Sequence, residues 1–433
     1  MLRPFRIVSI LALLALTACG PDDVGLEEDA IEIGPPNDAI LPDTTPDLPD
    51  ELPDVADAEV DTDVREPPLY GLLRVDVLIS NTNLNAIHRD PLAEVEVSAD
   101  FVVDGVRYDD GEIEVHGGYA RTVPKLSYRI RFQDDELLET TLFSEGEESH
   151  RRVVLQASWI DPTYMRNCLT LDLVRELGGF APRCDYVELF FNGHYHGLYV
   201  AIERVDEHFL RRNGLAEDGL VLKASSNLAD WSNVSNPMAG FEMKLNIDAP
   251  TDGLSELIRH VQQTPQEYES FVAGVEPWVD LDDFMSWQLA HTLADNRDTF
   301  TKNYYLHYDW EAGDAPFRIV SWDADATWGL NWDGAAVDPE VRDALWGNDA
   351  FSPRLFSIPE YLEPYRERYR TLMVDGQLEE WVRVNVGHRT VRIEEAAERD
   401  LFAWDRSHDF DDERDYLDAS IDARFDTLST VLE

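Results

Sequence analysis

Residues 70–132 alternate apolar and polar side chains and are rich in β-branched residues. The alternation runs through the segments LLRVDVLIS, AEVEVSADFVV, GEIEVHGG and KLSYRIRF. A period of two places the apolar side chains on one face of an extended strand, and that face needs a core to cover it. We therefore predict an antiparallel sheet here. Two further strands, DYVELFF and GLYVAIE, flank Asn192 and Gly193, a dipeptide typical of tight hairpins.

The second half of the chain has a helical pattern instead. In the segment DLDDFMSWQLAHTLADN an apolar residue recurs at every fourth position, and Asp280 can cap the first turn. Residues 359–433 are mostly charged and helical in pattern. A β-rich part followed by a helical part predicts an α+β fold with two lobes, at about residues 71–248 and 249–433.

The N-terminus has the pattern of an export signal. Arg3 and Arg6 precede an apolar run at residues 7–16, which is too short to span a membrane. The run ends in LTAC, which resembles a bacterial lipobox, so we predict that residues 1–19 form a signal peptide and that Cys19 is lipid-modified. The alternative is an ordinary secretory signal with an incidental cysteine.

Residues 20–70 are acidic and rich in proline. They contain 17 Asp and Glu against one Arg, a net charge of -16. Such a segment has too little apolar surface to offset the entropy of ordering, so we predict a disordered, extended tether. Removing this charge and the +2 of the signal peptide from the total of -51 leaves -37 on residues 71–433. This acidity argues against nucleic-acid binding, which needs a basic surface.

Cys168 and Cys184 remain once Cys19 is assigned to a lipid. In an exported protein they can form a disulfide, or they can be two separately buried thiols, and the sequence leaves both possibilities open.

The stretch ADNRDTFTKNYYLHY places Asp298 five residues before Asn303. Asp and Asn are common in turns, so a plain helix-to-strand turn is one interpretation. The other is phosphoryl transfer, because Arg297, Asp298 and Asn303 match the R-D-x-x-x-x-N pattern of the kinase catalytic loop, with Asn296 in place of the usual His.

A second acidic motif follows at the predicted end of a strand, in SWDADATWG. Asp323 and Asp325 are two residues apart, so in an extended chain both side chains point to one face, where they can share a divalent cation. The alternative is a pair of solvated acids at an exposed strand end. The spacing from Asn303 leaves room for a pair of strands between the catalytic loop and these acids, which is the order found in kinases.

Taken together, these motifs resemble the spore coat protein H (CotH) kinase family, a group of atypical kinase-like proteins. The resemblance rests on N-x-D-x-x-x-x-N-Y-Y-L-x-Y followed by W-D-x-D-x-T-W-G. It also covers HGGYARTVPKLSYRIRF and MRNCLTLDLVRELGGFAPRCDYVELFFNGHYHGLYVAIERV, and it spans roughly residues 71–410. It implies an atypical protein-kinase-like fold.

The resemblance also implies roles for the acidic residues. Asp298 is similar to the catalytic Asp that orients or deprotonates the acceptor hydroxyl. Asn303 and Asp323 are similar to ligands of Mg²⁺ or Mn²⁺ at the phosphates of ATP, with Asp325 as a helper.

Two lysines are candidates for contacting the nucleotide. Lys125, in PKLSYRI, is placed like the lysine of the kinase sheet that neutralises phosphate, with Glu203 as its candidate partner. Lys223, in GLVLKAS, is a rival phosphate ligand. Each lysine can equally be an ordinary charge at a strand edge, and for Lys223 we favour that interpretation.

The resulting expectation is a lipid-anchored enzyme of the cell envelope that transfers the γ-phosphoryl group of ATP to Ser, Thr or Tyr hydroxyls of an envelope or coat protein. Its contact with the membrane would be through the lipid alone. The alternative is a surface-displayed binding or adhesion protein that keeps a kinase-like scaffold without catalysis.

Overall fold

The computed structural model describes residues 71–143, 148–312, 315–338 and 345–432. The predicted signal peptide, the lipidation site at Cys19 and the acidic tether lie outside the described residues. Among the helices that are described, none combines the length and the apolar character needed to cross a membrane.

Strands dominate the first part of the described chain. Their bounds are β1 Leu73–Leu78, β2 Glu96–Val103, β3 Val106–His116, β4 Ser127–Arg131, β5 Leu138–Thr140, β6 Glu148–His150, β7 Arg152–Gln156, β8 Cys184–Phe191, β9 His194–Glu203, β10 Leu220–Ala224, β11 Phe241–Leu245, β12 Tyr304–Tyr308 and β13 Arg318–Ser321. The predicted strands form a closed barrel together with β7, which was not predicted, in the order β1-β2-β3-β4-β7-β9-β8, and β5 pairs with β6. The barrel closes through a parallel pairing of β1 with β8.

The alternation of the sequence fills the interior of this barrel. Phe101 on β2, Ile113 on β3 and Leu155 on β7 are fully buried in one apolar cluster. Gly111 on β3 lets the ring of Phe101 approach, because a Cβ at this position would overlap that ring. Burial of these alternate positions is what selects the barrel register, since a slip of one residue would turn every apolar side chain outward.

A second sheet has the strand order β11-β10-β12-β13. Its strands are antiparallel, and the register places Lys223 opposite Tyr305, and Tyr305 opposite Val320. Two of the four strands come from residues before position 248 and two from residues after it, so this sheet crosses the predicted boundary between the lobes.

Helices make up most of the remainder. Their bounds are α1 Asn81–Arg89, α2 Arg166–Glu176, α3 Glu207–Arg212, α4 Asp252–Gln263, α5 Tyr268–Gly274, α6 Leu281–Leu293, α7 Ser352–Leu355, α8 Pro359–Met373, α9 Gln377–Ala403 and α10 Phe410–Leu432. Asp280 caps α6 as predicted, because its carboxylate accepts a hydrogen bond from the amide of Asp283. Helix α6 packs against α2 and β13, and this buried position fixes where its C-terminal loop begins.

Candidate active site

A cavity of about 560 Å³ lies between the barrel and the second sheet. Residues that contribute to its wall include Gln156, Ser158, Arg204, Lys223, Lys244, Asp298, Lys302, Asn303, Trp322, Asp323 and Asp325. The four acidic and amide residues of the two sequence motifs therefore lie in one cavity, although they come from two separate loops.

The first of these loops follows α6. Its path is fixed by Asn296, whose buried side chain accepts a hydrogen bond from the amide of Asp298 at 2.9 Å and donates to His291 Nδ1 at 3.1 Å. His291 in turn contacts Ser321 Oγ, at the end of β13, at 2.9 Å. The loop is thus tied both to the helix before it and to the strand that leads to the second motif.

The Asp298 carboxylate is held by two neighbours on its own loop. Lys302 Nζ lies 2.9 Å from Oδ1, and Asn303 Nδ2 donates to Oδ2 at 2.9 Å. Burial raises the pKa of Asp298, while the charge of Lys302 and the hydrogen bond from Asn303 oppose that rise. A carboxylate that is oriented and made more basic by burial is suited to accept a proton.

Asn303 adopts a left-handed backbone conformation, with φ at 59°, immediately before β12. Asn tolerates this region better than most residues because of its short polar side chain. The turn lets Asn303 Nδ2 point back to Asp298, and the amide oxygen is the atom of this side chain that can ligate a metal.

The second loop carries the paired acids. Strand β13 ends at Ser321, and Asp323 has φ at 56°, so the two acids lie beyond the strand and do not alternate along it. They are nevertheless brought together, because Gln156 Nε2 donates to Asp325 Oδ2 at 3.1 Å and to Asp323 Oδ1 at 3.4 Å. Asn167 orients Gln156 through a hydrogen bond of 2.6 Å.

Both acids are partly buried in the cavity wall, and burial and charge act on their ionisation. Burial raises the pKa of Asp323, and the charge of Lys223 lowers it. Burial raises the pKa of Asp325 well above its ordinary value, and the neighbouring charge of Asp323 raises it further. Each acid therefore disfavours the ionisation of the other, a conflict that a shared cation would relieve.

The donor set can be compared with what a divalent cation needs. In the part of the chain that the structure describes, no three His, Cys, Asp or Glu side chains form a group able to hold a metal ion. The site instead offers two carboxylates and the amide oxygen of Asn303. Mg²⁺ is commonly bound by one or two protein carboxylates together with water and substrate phosphates, so these residues fit it or Mn²⁺.

The structure does not bring Lys125 and Glu203 together as partners. Lys125 is fully buried, and its Nζ lies 2.8 Å from Asp400 Oδ1 on α9. Glu203 is paired instead with Arg212 and accepts a hydrogen bond from the backbone amide of Arg183 at 3.1 Å. Neither Lys125 nor Glu203 belongs to the wall of the cavity. The predicted Lys125–Glu203 pair is therefore wrong, because each charge is already neutralised by a residue elsewhere.

Lys223 does lie in the cavity wall, against the interpretation that we favoured for it. Its Nζ is 5.8 Å from the centre of the Trp322 ring. The sequence did not single out Arg204, whose guanidinium carbon lies 5.7 Å from the centre of the same ring. Its position directly after Glu203, in a segment that carries the family resemblance, was the signal that could have identified it.

Two other residues of the site were not identified from the sequence. Lys302 lies inside the catalytic-loop motif, one residue before Asn303, and Gln156 is the last residue of β7. Neither residue type is diagnostic by itself, so only their contacts with Asp298 and with the paired acids identify them.

Cys168 on α2 and Cys184 on β8 are joined by a disulfide, with their Cα atoms 5.7 Å apart. The bond links the helix that supplies Asn167 to the barrel wall. It lies outside the cavity wall.

Known proteins match this chain over most of its described length. Residues 113–428 match the family described as CotH kinase protein. The inner spore coat protein H of Bacillus subtilis (strain 168) is 29% identical over 308 residues, which cover 69% of this chain and 79% of that protein.

Two solved structures are also similar at low identity. One is the complex of HipA, HipB and operator DNA from the Shewanella oneidensis MR-1 toxin–antitoxin system, with 13% identity and a TM-score of 0.30 over 69% of this chain. The match spans 65% of that chain, slightly less than two thirds of its length. The other is the proinflammatory kinase CtkA of Helicobacter pylori, with 11% identity and a TM-score of 0.31 over 74% of this chain and 94% of that one. TM-scores this low carry no structural argument.

The match to the family covers most of the chain and includes both acidic motifs and the loops that place them in the cavity. The chain is a kinase-like protein and belongs to the CotH kinase protein family.

Proposed function

We propose that this protein is an atypical kinase that transfers the γ-phosphoryl group of ATP to Ser, Thr or Tyr hydroxyls of envelope or coat proteins, with the help of Mg²⁺ or Mn²⁺. The observation that carries the proposal is the convergence of Asp298, Asn303, Asp323 and Asp325 on one cavity. A chain that only bound a partner would have no need to gather three carboxylates in one cavity, because each negative charge disfavours the ionisation of the others.

Asp298 is the group that would accept the proton of the acceptor hydroxyl. Lys302 and Asn303 fix the two oxygens of its carboxylate, so the orientation is set before a substrate binds. Phosphoryl transfer depends mainly on positioning and on neutralising charge, and a carboxylate held in place from two sides supplies the positioning.

Asp323, Asp325 and the amide oxygen of Asn303 would hold the divalent cation. When bound, that cation supplies neutralisation of charge on the phosphate oxygens of the nucleotide. Gln156 keeps the two carboxylates side by side through its single amide group, and Asn167 keeps Gln156 in place.

The proposed location is supported by the predicted export signal and by the relative named as a spore coat protein. Lipidation at Cys19 and the acidic tether of residues 20–70 would hold the kinase domain at the envelope, away from the membrane surface, where its acceptor would be found.

The test is incubation of the purified protein with γ-labelled ATP and Mg²⁺ or Mn²⁺, measuring label on itself and on a generic protein acceptor. The Asp298→Asn variant should lose roughly 10²–10⁴-fold in rate, the range expected for a general base, with little change in ATP affinity. Asp248→Asn is the matched control, because Asp248 is exposed and lies outside the cavity wall.

Two outcomes would contradict the proposal. Equal rates for Asp298→Asn and the unaltered protein would remove Asp298 as the base. ATP binding with no transfer to any acceptor, in either metal, would favour the non-catalytic binding protein instead.

A further inference from the structure

We propose that Arg204 and Lys223, which flank the ring of Trp322, bind the phosphate chain of the nucleotide, and that Lys125 is a positioning residue without contact to substrate. The inference rests on the proposed function, because it names the cations of the same site. It assigns the phosphate-binding role to the second sheet and the end of β9, in place of the barrel lysine.

The register of the second sheet builds this wall. Lys223 on β10 lies directly opposite Tyr305 on β12, so their side chains share one face of the sheet. The Tyr305 ring meets the Trp322 ring edge-on, with 5.6 Å between centres. Tyr305 Oη also lies 3.2 Å from Arg204 Nη1. Both cations are thus oriented by the same two aromatic side chains.

Arg204 and Lys223 differ from the other cations of the cavity wall in having no carboxylate partner among the described residues. Four of the six lysine and arginine side chains in the wall are paired with carboxylates: Arg121 with Glu94, Arg129 with Glu114, Lys244 with Glu242 and Lys302 with Asp298. Within the described ranges, Arg204 and Lys223 form no ion pair, although the chain has a net charge of -51. Cations that stay unpaired in so acidic a protein are available to an anionic ligand.

The chemistry of the pair suits a polyphosphate. A guanidinium can donate two parallel hydrogen bonds to phosphate oxygens, and an ammonium acts as a compact point charge. Tyr305 holds the guanidinium of Arg204, which is only 8% exposed, in one orientation. Asp323 follows Trp322 directly in the chain, so the two cations stand beside the acids proposed to hold the metal.

The ammonium group of Lys125, in contrast, already has three partners and is not available to a phosphate. Its ammonium contacts Asp400 Oδ1 at 2.8 Å and donates to Leu198 O at 2.5 Å and to Ala157 O at 3.4 Å. Tyr164 donates to the other oxygen of Asp400 at 2.5 Å. Reaching a phosphate would leave a fully buried carboxylate without its cation, which is strongly destabilising.

The same contacts explain how Lys125 acts on the site. Ala157 lies in the cavity wall, and its neighbour Ser158 has φ at 49°, so this wall turns sharply. Arg406, three residues after the end of α9, donates to Trp159 O at 2.7 Å. Lys125 and the end of α9 therefore hold the cavity wall at residues 157–159 in place from behind.

The test uses inorganic tripolyphosphate and ATP as probes, each titrated calorimetrically into the purified protein at a fixed Mg²⁺ concentration. We expect Lys223→Met and Arg204→Met each to weaken both probes by about 10- to 100-fold, as expected for the loss of one charge-assisted contact. Lys244→Met is the matched control, since it removes the same charge from the same wall but from an ammonium already paired with Glu242. It should change the affinity less than about twofold.

The second arm uses a neutral replacement of the buried pair. Lys125→Met alone should lower the melting temperature, and Lys125→Met combined with Asp400→Asn should recover part of the loss, because no unpaired charge then remains buried. The double variant should lose clearly less affinity for tripolyphosphate and ATP than Lys223→Met does, because Lys125 supports the wall at Ala157 and does not touch phosphate.

The inference is overturned if Lys223→Met and Arg204→Met bind both probes as tightly as Lys244→Met does. It is also overturned if the folded double variant loses as much affinity as Lys223→Met, or if the unaltered protein binds neither probe. Binding of tripolyphosphate that depends on Lys223 and Arg204, without any phosphoryl transfer, would uphold the inference and refute the proposed kinase activity.

Discussion

Replacing Gly197 by alanine should destabilise the protein through the buried Lys125–Asp400 pair. Gly197 lies in β9 with φ at 145°, and a Cβ added there would overlap Asp400 Oδ1 and come within 3.0 Å of Lys125 Cε. The carboxylate cannot easily move away, because Tyr164 holds its other oxygen and the amide of Leu198 donates to Oδ1 at 2.8 Å. The added methyl group must therefore break the pair or push α9 off the barrel.

The expected loss of stability follows from breaking the Lys125–Asp400 ion pair. Breaking a buried ion pair costs about 3–5 kcal/mol, because it leaves an uncompensated charge in the interior. Gly193→Ala is the matched control in the same hairpin: its φ is also positive, at 80°, but no atom lies within 4 Å of the added Cβ. The control should cost only the backbone strain, about 1–2 kcal/mol.

The assay is urea unfolding followed by tryptophan fluorescence, with both variants compared with the unaltered protein. Gly197→Ala should lower the free energy of unfolding by about 3–5 kcal/mol more than Gly193→Ala does. If the two variants are equally stable, Asp400 and Lys125 accommodate the methyl group, and the tight contact at Gly197 does not matter for stability.

Two further predictions concern the metal site and the anchor. Asp323→Ala should abolish Mg²⁺-dependent ATP binding while the fold stays intact, since Ala offers no oxygen that can replace a metal-binding carboxylate. Calorimetric titration measures this, and unchanged affinity would remove Asp323 from the site. Cys19→Ser should release the protein from membranes into a soluble exported fraction, because we expect the lipid to be its only attachment and anionic headgroups repel an acidic tether. Membrane fractionation measures this, and continued retention of the variant would reveal a second anchor.

Local sequence patterns were sufficient for several of the elements and for the acidic motifs. The period of two in residues 70–132 predicted the first strands of the barrel, and the period of four after Asp280 predicted α6 and its cap. The motif around Asp298 and Asn303 was also visible, because a loop of ten residues between a buried helix and a strand has few possible paths. These features depend on interactions between residues that are close in the chain.

The partners of the charged residues were decided by the tertiary structure alone. Lys125 belongs with Asp400 because α9 packs on β9. Arg204 directly follows the barrel strand β9 and Trp322 directly follows β13 of the second sheet, so the two meet where barrel and sheet face each other across the cavity. Nothing near either cation in the sequence distinguishes a buried ion pair from a cation that faces a cavity. That difference depends on which carboxylates the packing of distant segments brings within reach, and on how much water the same packing removes.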